Sequence, residues 1–271
     1  MSVSLRCYST SLGCPKNRVD TERLLGSLGV ALVPIESPDE AELVFINTCA
    51  FIQPATEESV RTIAQAIADI EELPKRPLLA VAGCLVGRYH AEDLAPELPE
   101  VDLWLDNSDL EAWPAMLARK LGLPEPTVPG RILSTGPSYA WLKISDGCRH
   151  ACSFCAIPNI RGGHRSHCKD MIVREARALL DQGVKELNLV AQDLTEWGCD
   201  LDGKQDLRTL LDGLLPSSMN SRRCSKCSSV SPGNPTMMLV RRAASGNTLR
   251  MRSMASRGLR AKGRPIITLN R

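Results

Sequence analysis

Three cysteines of this chain, Cys148, Cys152 and Cys155, lie on one short stretch in the spacing C-x3-C-x2-C. Three thiolates on one loop suit a metal cluster, and a four-iron cluster held by only three of them keeps one iron free for a ligand that is not protein. A metal with an open coordination position is usually catalytic. The alternative is a zinc site or three buried thiols, although zinc sites usually combine C-x2-4-C with a second ligand pair. The spacing therefore predicts an iron–sulfur loop.

Three further cysteines, Cys14, Cys49 and Cys84, follow one another at intervals of 35 residues. Each comes just after a predicted strand, in a region where strands alternate with helical stripes, which indicates βα units and a parallel sheet. Because the carboxyl ends of parallel strands share the edge where ligands usually bind, we expect the three thiols to meet there. Helix N-termini beside them favour the thiolate form that metals bind. The alternative is that all three are small apolar core residues.

Periodicity predicts the α/β elements that position these cysteines. Residues 1–123 form a predicted N-terminal domain, residues 124–138 are rich in Pro and Gly and are interpreted as a linker, and residues 139–215 form a second domain. In this second domain a strand, a helix and a strand surround the loop of Cys148 to form a βαβ unit. The predicted strands are Val3–Ser9, Leu43–Ile46, Leu78–Ala82, Val101–Leu105, Tyr139–Ile144 and Glu186–Ala191, and the first helix is Val19–Leu28.

Charge is distributed unevenly along the chain. Residues 216–271 contain 12 Lys and Arg and no Asp or Glu, whereas residues 1–215 carry a formal charge of −10. This composition predicts a basic tail with little regular structure. Two interpretations are open: an arm that contacts the phosphates of RNA, or a shifted reading frame.

The 11 cysteines are not accompanied by a signal peptide or a membrane-spanning apolar run. An odd number of thiols without a secretory signal is typical of a reducing compartment, where cysteines serve metal or redox chemistry. We therefore expect a cytoplasmic protein without a membrane partner.

The stretch from Cys148 to Cys155 resembles the signature of the radical S-adenosylmethionine (SAM) enzymes. The resemblance implies that Cys148, Cys152 and Cys155 ligate a [4Fe–4S] cluster whose free iron chelates SAM, and that Phe154 packs beside the adenine.

Two segments beyond the loop extend this resemblance. Residues 157–166 are similar to the family segment IP-x-x-RG-x-x-RS, which implies that Arg161 and Arg165 bind the SAM carboxylate or an acidic target, with solvated surface arginines as the alternative. Ala191-Gln192-Asp193 resembles the family's AQD and implies that Gln192 lies near the polar end of SAM, with a core or capping role as the alternative. His167-Cys168 departs from the family's Arg-Pro, and Cys168 and Cys199 are interpreted as ordinary thiols.

The N-terminal half resembles the methylthiotransferases within that family. The matching segments are SLGCPKN around Cys14, NTCAFI around Cys49 and the pair Gly83-Cys84. The resemblance implies that Cys14, Cys49 and Cys84 hold a second [4Fe–4S] cluster, which carries the inserted sulfur. GCPKN is closer to the branch that modifies a ribosomal protein, the RimO branch, than to the tRNA-modifying MiaB branch.

The resemblance implies an enzyme that adds a methylthio group to the β-carbon of an aspartate of small-subunit ribosomal protein S-twelve. Its cofactors are two [4Fe–4S] clusters and SAM, and its electron donor is a flavodoxin or ferredoxin. The implied fold is a parallel-sheet domain followed by the first part of a partial (βα)6 barrel, without the family's TRAM domain. The alternatives are a tRNA methylthiotransferase and a non-catalytic iron–sulfur or RNA-binding fragment.

Overall fold

The computed structural model describes residues 4–203 and 205–215, together with the backbone of three strands at 238–242, 249–253 and 267–270. The chain divides into two compact units, one formed by Met1–Ser134 with Gly147–Gly163 and the other by Thr135–Asp146 with His164–Arg271. This division places the loop at 147–163 in the first unit, whereas the sequence predicted it inside a domain at 139–215. The segment groups with the first unit because its residue Ile160 is buried in a hydrophobic core cluster of that unit.

The first unit is built on a five-stranded sheet in which all neighbours are parallel. The strands follow the order β2-β1-β3-β4-β5, which confirms the predicted α/β class. They are β1 (Ser4–Ser11), β2 (Ala31–Pro34), β3 (Leu43–Thr48), β4 (Leu78–Gly83) and β5 (Leu103–Leu105). The helices are α1 (Pro15–Ser27), α2 (Gln53–Ile70), α3 (Cys84–Tyr89), α4 (Ala91–Leu94), α5 (Trp113–Leu121) and α6 (Ile157–Arg161).

The central strand β3 is buried along its whole length because helices cover both faces of the sheet. Side chains alternate between the faces of a strand. Val44 and Ile46 accordingly pack in the cluster that contains Ile63 of α2. Leu43 and Phe45 pack in the opposite cluster, with residues of α1 and α5. Strand β2 was not predicted, because it is a short and mostly exposed edge strand that carries no apolar alternation.

The second unit contains the predicted βαβ arrangement. Its elements are β6 (Ala140–Lys143), β7 (Ser145–Asp146), β8 (Arg165–Ser166), α7 (Lys169–Asp181), β9 (Glu186–Val190) and α8 (Leu207–Leu214). Strand β6 pairs in parallel with β9, and β7 pairs antiparallel with β8. No helix in the described part of the chain has the length and apolarity needed to cross a membrane.

Three strands fall in the segment that the composition predicted to be a tail with little regular structure. Strand β12 (Ile267–Asn270) pairs in parallel with β9, β10 (Met238–Arg242) pairs antiparallel with β9, and β11 (Leu249–Ser253) pairs with β10. Each of these short runs contains apolar or β-branched residues, which favour strands. The remaining positions of 216–271, and with them the interpretation as a basic RNA-binding arm or a shifted frame, lie outside the described residues.

Candidate metal centre

The three N-terminal cysteines lie at the carboxyl ends of three neighbouring parallel strands. Cys14 follows β1 and precedes the first residue of α1, Cys49 directly follows β3, and Cys84 directly follows β4 as the first residue of α3. Since β1, β3 and β4 are adjacent in the sheet, these positions share one edge. The structure therefore brings the three cysteines to the place where parallel sheets usually bind ligands.

The side chain of Asn17, on the first turn of α1, lies among these thiols. Its Oδ1 atom is 3.9 Å from the Cys14 Sγ atom and 3.8 Å from the Cys84 Sγ atom. Its Nδ2 group donates to the carbonyl oxygens of Leu12 at 2.9 Å and Thr48 at 2.7 Å, which fixes the orientation of the amide. The loops after β1 and β3 thus hold a buried acceptor that faces two of the three thiols.

Two glycines allow the backbone to approach these side chains. A Cβ atom on Gly13 would lie 2.5 Å from Cys49 Cβ, and the φ of Gly13 is +79°. A Cβ on Gly83, whose φ is +98°, would lie 2.2 Å from the Oδ1 atom of Asn47. Both positions combine a left-handed backbone with close contact, which glycine tolerates and other residues do not.

Arg161 supplies a buried positive charge beside the thiols. Its Nη1 atom lies 3.3 Å from Asp20 Oδ2, and its Nη2 group donates to Asn17 Oδ1. The hydrogen bond from the Cys49 thiol lowers the pKa of Cys84 to about 5; burial opposes this shift and the charge of Arg161 reinforces it. The same hydrogen bond, together with burial, raises the pKa of Cys49. The two shifts are opposite in direction, so the pair favours one thiolate beside one thiol.

This donor set fits a soft metal centre. Thiolates are the ligands of iron–sulfur clusters, and a nearby cation offsets the repulsion between them. The three cysteines, with Arg161 at their side, provide those features in the first unit. Asn17 and Asp20 were not predicted as members of the site, although both lie one or two turns after Cys14 on the helix that it precedes.

The second cysteine set lies on the loop that follows β7. Cys152 is exposed, while Cys148 and Cys155 are partly buried. The loop is closed at its base, because the N–H of Cys148 donates to the carbonyl of Gly162 at 3.2 Å. A Cβ on Gly147 would lie 2.0 Å from the carbonyl oxygen of Gly163. The donor set of three thiols on one closed loop fits a cluster with an open position.

The remaining predicted site residues are found in different environments. Phe154 is 90% exposed, and Arg165 is exposed on β8. Gln192 is half-buried just after the carboxyl end of β9. Arg161 is buried against Asp20 rather than directed into an open cleft. Their proposed contacts with SAM stay predictions.

A buried charged group that sequence reasoning missed lies at the end of β6. The Lys143 Nζ atom is 2.8 Å from Asp146 Oδ2, and the His167 Nε2 atom is 3.2 Å from the same oxygen. Lys143 and Asp146 are both almost fully buried. A Lys and an Asp three residues apart at the end of an apolar strand are the only sequence signal for this group, and that signal is weak.

Comparison with known proteins shows strong similarity along most of the chain. Residues 6–106 match the model of "Uncharacterized protein family UPF0004". A protein of Nitratidesulfovibrio vulgaris named ribosomal protein uS12 methylthiotransferase RimO is 68% identical over 209 residues, which are 77% of this chain and 49% of that protein. Proteins with the same name from Oleidesulfovibrio alaskensis (62% identical, 77% of this chain and 49% of the relative) and Lawsonia intracellularis (59%, 79% and 49%) are also similar.

Two solved structures of a radical SAM methyltransferase, TsrM from Kitasatospora setae, resemble the chain more remotely. Each is 12% identical, with TM-scores of 0.47 and 0.48, and the matches cover 71% and 72% of this chain and 48% and 50% of the solved chains. The chain spans about half the length of the curated relatives that it matches. Along the part that aligns with those relatives, at up to 68% identity, the chain belongs to the methylthiotransferase family, in the RimO branch.

Proposed function

We propose that this chain takes part in the methylthiolation of ribosomal protein uS12, the S-twelve protein of the small subunit, at the β-carbon of an aspartate. The observation that carries the proposal is the convergence of Cys14, Cys49 and Cys84 at one sheet edge, in a chain that has a second set of three cysteines and is 68% identical to a uS12 methylthiotransferase. Two [4Fe–4S] clusters, SAM and a reduced flavodoxin or ferredoxin are the proposed cofactors and electron donor. A contact between the basic segment 216–271 and ribosomal RNA belongs to the same proposal.

The residues of the first unit would hold one of the clusters. Cys14, Cys49 and Cys84 are its proposed ligands, and Arg161 offsets their negative charge. Asn17 holds Arg161 in place through its side-chain oxygen. Cys148, Cys152 and Cys155 are the proposed ligands of the other cluster. When bound, these clusters and SAM supply radical hydrogen abstraction and sulfur transfer, and the chain's part is to bind and orient them.

Iron content tests the first cluster site. We expect that Cys49→Ala, after anaerobic reconstitution, lowers bound iron by about half, because one of two four-iron clusters loses a ligand. Cys168→Ala, at an exposed cysteine outside both sets, serves as the matched control and should leave iron unchanged. Equal iron in the native chain and the Cys49 variant would refute the first site.

Activity tests the reaction itself. Reduced, reconstituted chain is incubated with SAM and either uS12 or tRNA, and mass spectrometry follows 5′-deoxyadenosine and the methylthio group. Modification of uS12 is the expected result. Modification of tRNA instead would assign the chain to the tRNA-modifying branch. Iron-loaded protein that yields no 5′-deoxyadenosine would identify a non-catalytic fragment.

A further inference from the structure

Outside the six cysteines described above, one group of side chains in the second unit combines three different metal-ligating chemistries. His164 precedes β8, and Cys199 and Asp200 lie on the loop after β9. The imidazole nitrogen of His164, the Cys199 Sγ atom and a carboxylate oxygen of Asp200 all lie within 4.8 Å of one another. We propose that His164, Cys199 and Asp200 form a binding site for a divalent cation of the zinc type.

The spacing of the His164 and Asp200 ligand atoms agrees with such an ion. Two ligands bound to a tetrahedral zinc ion at about 2.0–2.3 Å lie roughly 3.3–3.8 Å apart. The His164 Nε2 atom is 3.5 Å from Asp200 Oδ1. Three protein ligands leave the fourth position to water, as in zinc sites that exchange a ligand.

The surroundings already hold two of the three ligands in place. The N–H of Ser166 donates to Asp200 Oδ2 at 2.8 Å, which leaves Oδ1 directed at the imidazole. The Ser166 hydroxyl is 3.1 Å from His164 Nε2 and accepts from the N–H of Gly198 at 2.9 Å. The His164 side chain is 3% exposed, so its ring position is set by packing. The hydrogen bond from the Ser166 N–H to the carboxylate oxygen that does not face the imidazole is a second-shell contact typical of metal sites.

Backbone geometry positions the third ligand. Gly198 has a φ of +92°, and a Cβ at that position would lie 2.7 Å from the carbonyl oxygen of Gln205. The N–H of Cys199 donates to the carbonyl of Glu196 at 3.1 Å. This tight turn presents the Cys199 side chain beside the imidazole and the carboxylate.

The donor set selects the class of ion. Calcium and magnesium are bound through oxygen atoms alone, whereas zinc accepts nitrogen, sulfur and oxygen together. A thiolate, an imidazole and a carboxylate also neutralise the double charge of the ion. A bound ion would join β8 to the loop after β9, two segments that are distant in sequence. The interpretation of Cys199 as an ordinary thiol is replaced by this proposal.

Alkylation of individual cysteines tests the site. Purified full-length chain, with its cluster sites reconstituted, is treated with iodoacetamide with and without Zn²⁺, and mass spectrometry measures the modification rate of each cysteine. We expect Zn²⁺ to slow the modification of Cys199 by at least about tenfold, because a metal-bound thiolate is a poor nucleophile. Cys168, exposed in the same unit but outside the group, should react at the same rate in both samples.

Two variants make the test specific. Asp200→Asn and His164→Gln should each abolish the protection of Cys199. The Asp200 side chain is 30% exposed, against 3% for His164, so its variant reports on the site even if the histidine variant folds poorly. The proposal is overturned if Zn²⁺ leaves the rate at Cys199 unchanged in the native chain, or if the protection survives the Asp200 substitution.

Discussion

At the scale of single residues, Asn17 organises the cysteine site of the first unit. Its amide nitrogen is occupied by two backbone carbonyls, so its oxygen faces Cys14, Cys84 and Arg161. Arg161 in turn balances Asp20 and the thiolate of Cys84. The charge state of the thiols therefore depends on residues that do not bind metal themselves.

The charge of Arg161 can be tested in cluster-free protein. Because the pKa of Cys84 is lowered to about 5, its thiolate is present at neutral pH and is lost as the pH falls through that value. Arg161→Met should raise this midpoint by at least about one unit, since the thiolate loses a neighbouring cation. Ultraviolet absorption of the thiolate during a pH titration measures it.

Two matched variants complete that experiment. Arg161→Lys keeps the positive charge and should keep a low midpoint, and Arg119→Met, at an exposed position of α5, should behave like the native chain. An unchanged midpoint in Arg161→Met would show that the cation does not act on the thiol.

The close approach of Gly13 to Cys49 leads to a second prediction. Gly13→Ala should lower the free energy of unfolding by about 2 kcal/mol or more, because it combines a left-handed backbone with a methyl group 2.5 Å from Cys49 Cβ. Gly29→Ala is the control, since Gly29 has a φ of +69° but no atom within 4 Å of the added Cβ. Urea denaturation measures both, and equal losses would mean that the contact with Cys49 has no cost.

At the scale of elements, two helices of the first unit begin at or directly after cysteines of the metal centre. Pro15 is the first residue of α1, so the helix begins immediately after Cys14 and brings Asn17 onto its first turn. Proline is favoured at this position because its missing N–H has no partner there in any case. Helix α3 likewise begins at Cys84, directly after the positive-φ residue Gly83.

Helix α8 shows how one cap depends on pH. The Asp206 side chain accepts from the Thr209 N–H at 2.8 Å and hydroxyl at 2.7 Å, and these hydrogen bonds lower the pKa of Asp206. The stabilisation is therefore complete above the ordinary pKa of a carboxyl group and is lost as the pH falls through the lowered value.

Hydrogen exchange of the Thr209 amide measures this cap. Asp206→Ala should increase its exchange at neutral pH several-fold, in line with the roughly 1 kcal/mol that such caps contribute. Asp206→Asn keeps an uncharged acceptor and should remove the dependence on acidic pH. Asp212→Ala, exposed on the same helix, serves as the control; if all three variants exchange alike, the cap has no role.

At the scale of the whole molecule, the predicted linker includes residues that are packed against the first unit. The Arg131 Nη2 atom is 2.6 Å from Glu22 Oε2, and both side chains are nearly fully buried. The N–H and hydroxyl of Ser134 donate to the other oxygen of Glu22. Backbone atoms of Arg131 also approach Gly26 of α1 so closely that a Cβ there would lie 2.4 Å away.

Breaking this ion pair should release the segment. Glu22→Gln leaves the buried guanidinium of Arg131 without its charge partner, which costs about 3–5 kcal/mol in comparable cases. Limited proteolysis should then cut between residues 124 and 134 at least several-fold faster than in the native chain. Glu36→Gln, at an exposed position, is the control, and equal cleavage of the two variants would contradict the prediction.

Much of the architecture could be predicted because its signals are local. A parallel sheet with thiols at one edge was indicated by three local signals: the apolar run of β3, the helical stripe of α2 and the cysteines just after strands. That sheet is present. The C-x3-C-x2-C spacing and the segments around Cys14 and Cys49 indicated the family, which the comparison with RimO proteins confirms.

The fold class, the family and the two sets of thiols could thus be predicted from the amino-acid order alone, because strand periodicity and ligand spacing lie within short segments. The folded structure was needed to show that Arg161 pairs with Asp20, 141 residues away, and that Glu22 binds Arg131, 109 residues away. It also grouped His164 with Cys199 and Asp200. Contacts across such distances depend on how packed elements meet, and a polar side chain in isolation carries no local signal of its future partner.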